Sequence, residues 1–433
     1  MTFWLLALVV AASSAASGGS DLLAWDRGSA EGGWVRWAPR PALGPRSAAE
    51  MDPEPVLRVL GNGNAHVFGG WRRVVTIDPG RSYRLRVEGD TSGIGARGRV
   101  FCQVRWLGPA VGEDVAPEYV AETSRADAAS VRWGEVLRPP PNAVQVEVSL
   151  LVQWAPAANV AFRRASLVLS DAVAPRVART ATVYWRPGGP STPAANVAAL
   201  AALVDRAAAT RPDLVLLSEA ITSIGTGLSV PEAAQEPKGP AFTALAAKAR
   251  EHRTYIVYGA YEKAGELVYN SAFVVGRDGS LVGSYRKVQV PVGEVEAGLS
   301  AGDAYAPLDL DFGRVGILIC HDTAFDEPAR ILALAGAEVL LAPAWGGDLT
   351  QIRARALDNG VWVVTAGYDV PSAVIDPAGE VRAQTWKGMG DGIAAFSLDL
   401  SRRVRRPWVG DWGRAALKQR RVDVYGPLLE EAR

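Results

Sequence analysis

Three residues far apart in the chain, Glu219, Lys287 and Cys320, have side chains that could do chemistry together. A thiolate attacks an sp² or sp carbon. A carboxylate beside it takes the thiol proton and relays it to a leaving nitrogen, while an ammonium stabilises the anion that develops. Each of the three stands at the end of an apolar stretch. Leu214-Val215-Leu216-Leu217-Ser218 leads into Glu219, residues 281–285 lead into Arg286 and Lys287, and Arg314-Val315-Gly316-Ile317-Leu318-Ile319 delivers Cys320. In α/β sheets ligand sites lie beyond the carboxyl ends of the strands, so three such ends can converge. Taken singly, each has a plain structural role: a small buried hydrophobe, a capping or surface carboxylate, a solvated strand end. Acidic residues and Pro328 follow Cys320 and open a helix. A thiol at such a start is expected to sit at the positive end of a helix dipole, with its thiolate favoured.

The elements that must position these residues can be read from about residue 178 onward. Residues 181–185, 214–219, 255–259, 338–342 and 361–365 are continuous apolar runs, as strands buried on both faces should be. Between them lie helical patterns over 241–252 and 352–357. Another follows Thr192 and Pro193, with Val197, Leu200, Leu203 and Val204 on its apolar stripe. Residues 271–275 and 281–285 form a strand pair across Gly276-Arg277-Asp278-Gly279, and residues 373–382 turn on Asp376-Pro377-Ala378-Gly379. This alternation predicts a layered α/β domain over 178–400.

These segments also carry a resemblance. Ser218-Glu219 after a strand, Tyr285-Arg286-Lys287, and Gly316-Ile317-Leu318-Ile319-Cys320-His321-Asp322 resemble the three catalytic segments of the nitrilase superfamily of carbon–nitrogen hydrolases, in order and spacing. Residues 333–341, 355–361, 374–380 and 425–428 are similar to supporting segments of that family. The resemblance implies an α-β-β-α sandwich without metal or organic cofactor. It implies Cys320 as nucleophile, Glu219 as general base and Lys287 as stabiliser of the tetrahedral intermediate, with the backbone N–H of His321 completing the oxyanion site. Many members add a second glutamate after the lysine. Here Glu294, in Pro291-Val292-Gly293-Glu294, resembles that of the acyltransferase branch, and Glu296 competes for the role. Trp345 follows a strand end and is expected at the substrate pocket, unless it serves packing. The implied reaction is hydrolysis of a small amide or carbamoyl compound, with a nitrile as a further substrate class. N-acyl transfer and a non-catalytic glycan-binding protein are the rivals. Homodimers or larger assemblies are common in the family.

Residues 22–172 follow a different grammar. Short stretches such as 83–88, 100–106, 144–148 and 165–169 alternate apolar and polar residues between Gly/Pro turns, which predicts an all-β sandwich. The segment resembles jelly-roll, galactose-binding-like modules. Glycan binding there would require exposed rings, for which Trp34, Trp37, Trp71, Trp106, Trp133 and Trp154 are candidates, although core packing is the plainer role. Residues 3–12 are continuously apolar and small residues follow to 17, so residues 1–17 read as a signal peptide and the chain as exported, to the periplasm or the medium. The run is too short for a bilayer span, and no later segment supplies one. Residues 401–433 read as a carboxyl-terminal tail, a candidate oligomer contact.

Composition removes other classes. The net charge is +0 and hydrophobic residues make up 48% of the chain, so nothing points to nucleic acid or to extensive disorder. Two cysteines are no disulfide framework. The three histidines, His66, His252 and His321, form no zinc spacing, and no phosphate-cradling glycine motif occurs. On an extended backbone the His321 side chain would point away from that of Cys320, which disfavours a Cys-His dyad.

Overall fold

The structure is a computed structural model that describes residues 20–429, apart from positions 29, 96–97, 109–115, 125–129, 391 and 407. The signal peptide expected over residues 1–17 lies outside the described residues. The chain divides into two compact units. One comprises residues up to Ala174 with Arg405–Asp411 and Gln419–Arg433; the other comprises Pro175–Val404 and Trp412–Lys418.

The first unit is all-β. One antiparallel sheet runs in the order Val35–Trp37, Phe68–Thr76, Gln145–Gln153, Arg99–Leu107, Glu118–Tyr119. The other runs Arg46–Asp52, Glu54–Leu60, Asn159–Ser170, Ser82–Ser92, Ser130–Leu137, Glu122–Ser124. Alternate residues of both sheets, among them Trp71, Leu85, Val87, Val148, Leu150 and Phe162, close one shared core. Trp34, Trp71, Trp106 and Trp133 belong to it with 0–3% exposure, so the expectation of exposed stacking rings fails for these four. Trp37 carries the Arg72 guanidinium 3.4 Å from its ring centroid, and Trp154 faces Arg421 at 5.0 Å.

The second unit holds two sheets between two helical layers. The first sheet runs Leu281–Arg286, Leu267–Val275, Tyr255–Ala264, Leu214–Leu216, Val177–Val183, Ile393–Asp399, with Leu299–Ser300 added beside Leu267–Val275. The second runs Leu308–Leu310, Gly313–Ile317, Val339–Pro343, Trp362–Ala366, Ser372–Ile375, Val381–Thr385. The apolar runs serve two cores at once. Leu214 and Leu216 face the core between the sheets, while Val215 and Leu217 pack with the helices Pro193–Ala207 and Pro240–His252. In the second sheet Val339 and Leu341 face inward, and Leu340 packs with Glu327–Leu334 and Leu349–Asn359. The result is four layers, α-β-β-α. Thr192 caps the first helix, its side chain accepting the Ala195 N–H at 3.2 Å, with Pro193 at the first turn.

The carboxyl-terminal stretch is not a single free tail. Arg405–Arg406 pairs with Gly410–Asp411, and Arg405 meets Glu118 at 2.7 Å in the first unit. Arg402 reaches the buried Asp376 at 3.2 Å in the second. Among the described residues no helix is long and apolar enough to cross a membrane.

Candidate active site

Glu219 comes from the loop just beyond the strand Leu214–Leu216, and Lys287 directly follows Leu281–Arg286. Cys320 arrives from the other sheet, after Leu318 and Ile319 carry the chain past the strand Gly313–Ile317. The two sheets thus bring three strand ends to one place. Close approach of the backbone makes this geometry feasible at Gly259, where a Cβ would lie 2.7 Å from the Glu219 Cα.

Lys287 is wholly buried and donates to Glu219 Oε1 at 3.2 Å and to Glu294 Oε1 at 2.6 Å. Burial pushes its ammonium pKa down, but Glu219, the Cys320 sulfur and Glu294 outweigh that and hold it above the ordinary lysine value. The short helix Val292–Glu296 turns Glu294 toward the lysine and leaves Glu296 exposed, which separates the two competing glutamates. Glu219 Oε2 accepts the backbone N–H of Trp345 at 2.6 Å, and the Glu219 carbonyl accepts the Tyr368 hydroxyl at 2.8 Å. Trp345 therefore meets the site through its backbone, while its ring packs edge-on to Tyr368, with centroids 5.3 Å apart.

Cys320 opens the 3₁₀ turn Cys320–Ala324 with a left-handed φ of 45°. A non-glycine residue held there signals strain fixed by its surroundings. Its thiol faces the Gly346 carbonyl at 3.7 Å, and Thr323 donates to the Cys320 carbonyl at 2.7 Å. Burial, then the Glu219 charge, pushes the thiol up to about 12, against the opposing pull of Lys287. The expected dipole-stabilised thiolate is thus corrected. The regular helix begins only at Glu327, and the partly buried thiol lies near the Glu219 charge. At rest Cys320 carries a neutral thiol, which would need a base before it could attack a carbon. His321 follows in the same turn, with its ring against Phe325 at 5.2 Å.

Several participants were not singled out from the sequence. Asn270, on the strand Leu267–Val275, donates to Glu219 at 2.6 Å and to Glu294 at 3.4 Å. Buried Asp322 accepts the Ile319 N–H at 2.8 Å, the Gln289 N–H at 2.9 Å and the Tyr285 hydroxyl at 2.7 Å. It thereby ties the residue before the nucleophile to both flanks of Lys287. A buried polar residue within an apolar strand, as at Asn270, is the sequence signal that could have found the first. Cys102 and Cys320 are both free, with Cys102 in the core of the first unit. His252 pairs with Asp205 at 2.6 Å on the helix Pro240–His252 and takes no part.

Comparison with known proteins places the fold and the family. The family described as "Carbon-nitrogen hydrolase" matches residues 179–406. A nitrilase of Pyrococcus abyssi is 35% identical over 206 residues, covering 44% of this chain and 75% of that protein. The omega-amidase NIT2 of Homo sapiens is 32% identical over 274 residues, covering 54% of this chain and 93% of its own. Among solved structures, an amidase from Nesterenkonia sp. AN1, in complex with acrylamide, superimposes with a TM-score of 0.50 at 21% identity. That alignment covers 60% of this chain and 100% of the amidase, a likeness of fold. With the match spanning more than half of the chain, the protein belongs to the carbon–nitrogen hydrolase family, enzymes that cleave carbon–nitrogen bonds other than peptide bonds.

Proposed function

We propose that the protein hydrolyses a small amide or carbamoyl compound through a thioester on Cys320. The observation that carries this reading is the buried lysine shared by two glutamates beside a neutral thiol. As the sulfur attacks the carbonyl carbon, the S–C bond forms and Glu219 takes the thiol proton. Lys287 and the backbone N–H of His321 stabilise the oxyanion. The C–N bond then breaks, with Glu219 returning the proton to the departing nitrogen as ammonia or an amine. Water attacks the thioester with Glu219 again as base, and the carboxylic acid leaves as the thiol is restored. Glu294 holds the Lys287 ammonium as a second carboxylate partner, its Oε1 at 2.6 Å. The names of the relatives, a nitrilase and an omega-amidase, agree with amide or nitrile substrates.

Acyl transfer to an amine is the second reading, favoured by the resemblance of the Pro291–Glu294 segment to the acyltransferase branch. An ammonia-release screen over amides, carbamoyl amines and nitriles tests the proposal, with Cys320→Ala as the blank. Release confined to the unsubstituted enzyme supports it; equal release by Cys320→Ala would sink it. We further propose that residues 1–17 direct export and that the first unit is a galactose-binding-like accessory domain. Glycan binding by that unit draws no support from its four buried tryptophans.

A further inference from the structure

The site holds two carboxylates, Glu219 buried and Glu294 partly exposed, around one buried ammonium, an excess of negative charge that something must offset. Asn270 is 1% exposed, and its Nδ2 donates to Glu219 Oε1 at 2.6 Å and to Glu294 Oε2 at 3.4 Å. Its own carbonyl accepts the Lys287 backbone N–H at 2.8 Å. One residue therefore touches all three charged members, two through its amide and the third through its main chain. The orientation of that amide is fixed by its partners, because turning its oxygen toward two carboxylates would set three acceptors against each other. Asn270 Oδ1 is consequently left buried without a partner. A residue serving packing alone would avoid that cost.

We propose that Asn270 is a positioning residue that holds the Glu219 carboxylate aimed at the thiol, by supplying a neutral second donor where a second cation would quench the base. The inference rests on the assignment of Glu219 as base. Removing a donor from a carboxylate favours its protonated form. The acid limb of any reaction that needs Glu219 as base should then move to higher pH. The other titratable groups that face Glu219 are Lys287, Cys320, Glu294, Tyr261 and Tyr368. Lys287 and both tyrosines are held above their ordinary values and Cys320 at about 12, so none of these four supplies an acid limb.

The test is the pH dependence of Cys320 alkylation by iodoacetamide, read by peptide mass on the full chain. It needs no knowledge of the substrate, and Cys320→Ala gives the blank. Glu219→Gln should abolish the acid limb. Asn270→Leu and Asn270→Asp should each keep a limb but shift it upward by about one unit or more, the size expected for losing a hydrogen bond to a charged group. The Asp variant shifts because a carboxylate in place of the amide donor adds negative charge beside Glu219, which favours its protonated form. Aspartate has nearly the shape of asparagine, so this variant answers the question even where the leucine variant fails to fold. Limbs in both folded variants that coincide with the parent's, while Glu219→Gln abolishes it, would overturn the role of Asn270 alone. A limb that survives Glu219→Gln would overturn the base assignment and this inference together.

Discussion

Lys287 is fully buried, and at that depth only the charges around it keep it a cation. Its pKa is raised in the folded protein, so its stabilising contribution is fully present below the ordinary lysine value. That contribution is lost only as pH rises through the higher folded value. The ion network is therefore expected to hold across the neutral range and to weaken only in strong alkali, as followed by thermal unfolding against pH. Replacing the ammonium leaves the buried Glu219 and the partly exposed Glu294 without their cation. Lys287→Met should lose about 10²–10³-fold in kcat and roughly 3–5 kcal/mol of stability, measured by amide turnover and urea unfolding. Full activity in a folded variant would contradict the stabilising role. At this scale the sequence was informative for Glu219, Lys287 and Cys320, whose types and strand-end positions already suggested attack on a carbon–nitrogen bond. It could not show that the thiol rests protonated, because that depends on burial and on a carboxylate 101 positions away in the chain.

Short turns aim the groups that the long elements bring near. Cys320 sits with φ of 45°, a conformation that costs a side-chain-bearing residue and suits glycine. Cys320→Gly and Cys320→Ala should both be inactive, with the glycine variant more stable by about 1 kcal/mol. Chemical denaturation of the two side by side checks this, and equal stabilities would show that the turn is unstrained. Asp322 pins the same turn to the lysine segment through Ile319, Tyr285 and Gln289. Apolar runs such as residues 214–217 were legible because alternate residues must satisfy two different cores. The choice of Glu294 over Glu296 rested on the resemblance of the Pro291–Glu294 segment, not on the pattern of residues around it. A five-residue helix decides it, and two positions along a helix point to different sides. Asn270 was hidden, since its partners come from residues 219 and 294.

Across the whole chain the alternation of residues 83–88 and 100–106 against the buried runs of the second half foretold two kinds of architecture. The course of the last thirty or so residues was not foretold, because the ion pairs of Arg402 and Arg405 with Asp376 and Glu118, and the division of the stretch between units, depend on partners distant in the chain. If residues 1–17 direct export, protein recovered outside an expressing cell will have lost about that length from its amino terminus. Intact mass of the recovered chain checks this, and an unprocessed chain retained inside would contradict it. The central claim is that Cys320 carries the acyl group. Enzyme quenched in acid during turnover of an amide found by the screen, then digested and weighed, should show the peptide containing Cys320 heavier by the substrate's acyl group. Glu219→Gln and Cys320→Ala should lack that adduct. Continuous product release with no adduct on Cys320 in a quench fast enough to catch a single turnover, or with the adduct on another residue, would contradict the account.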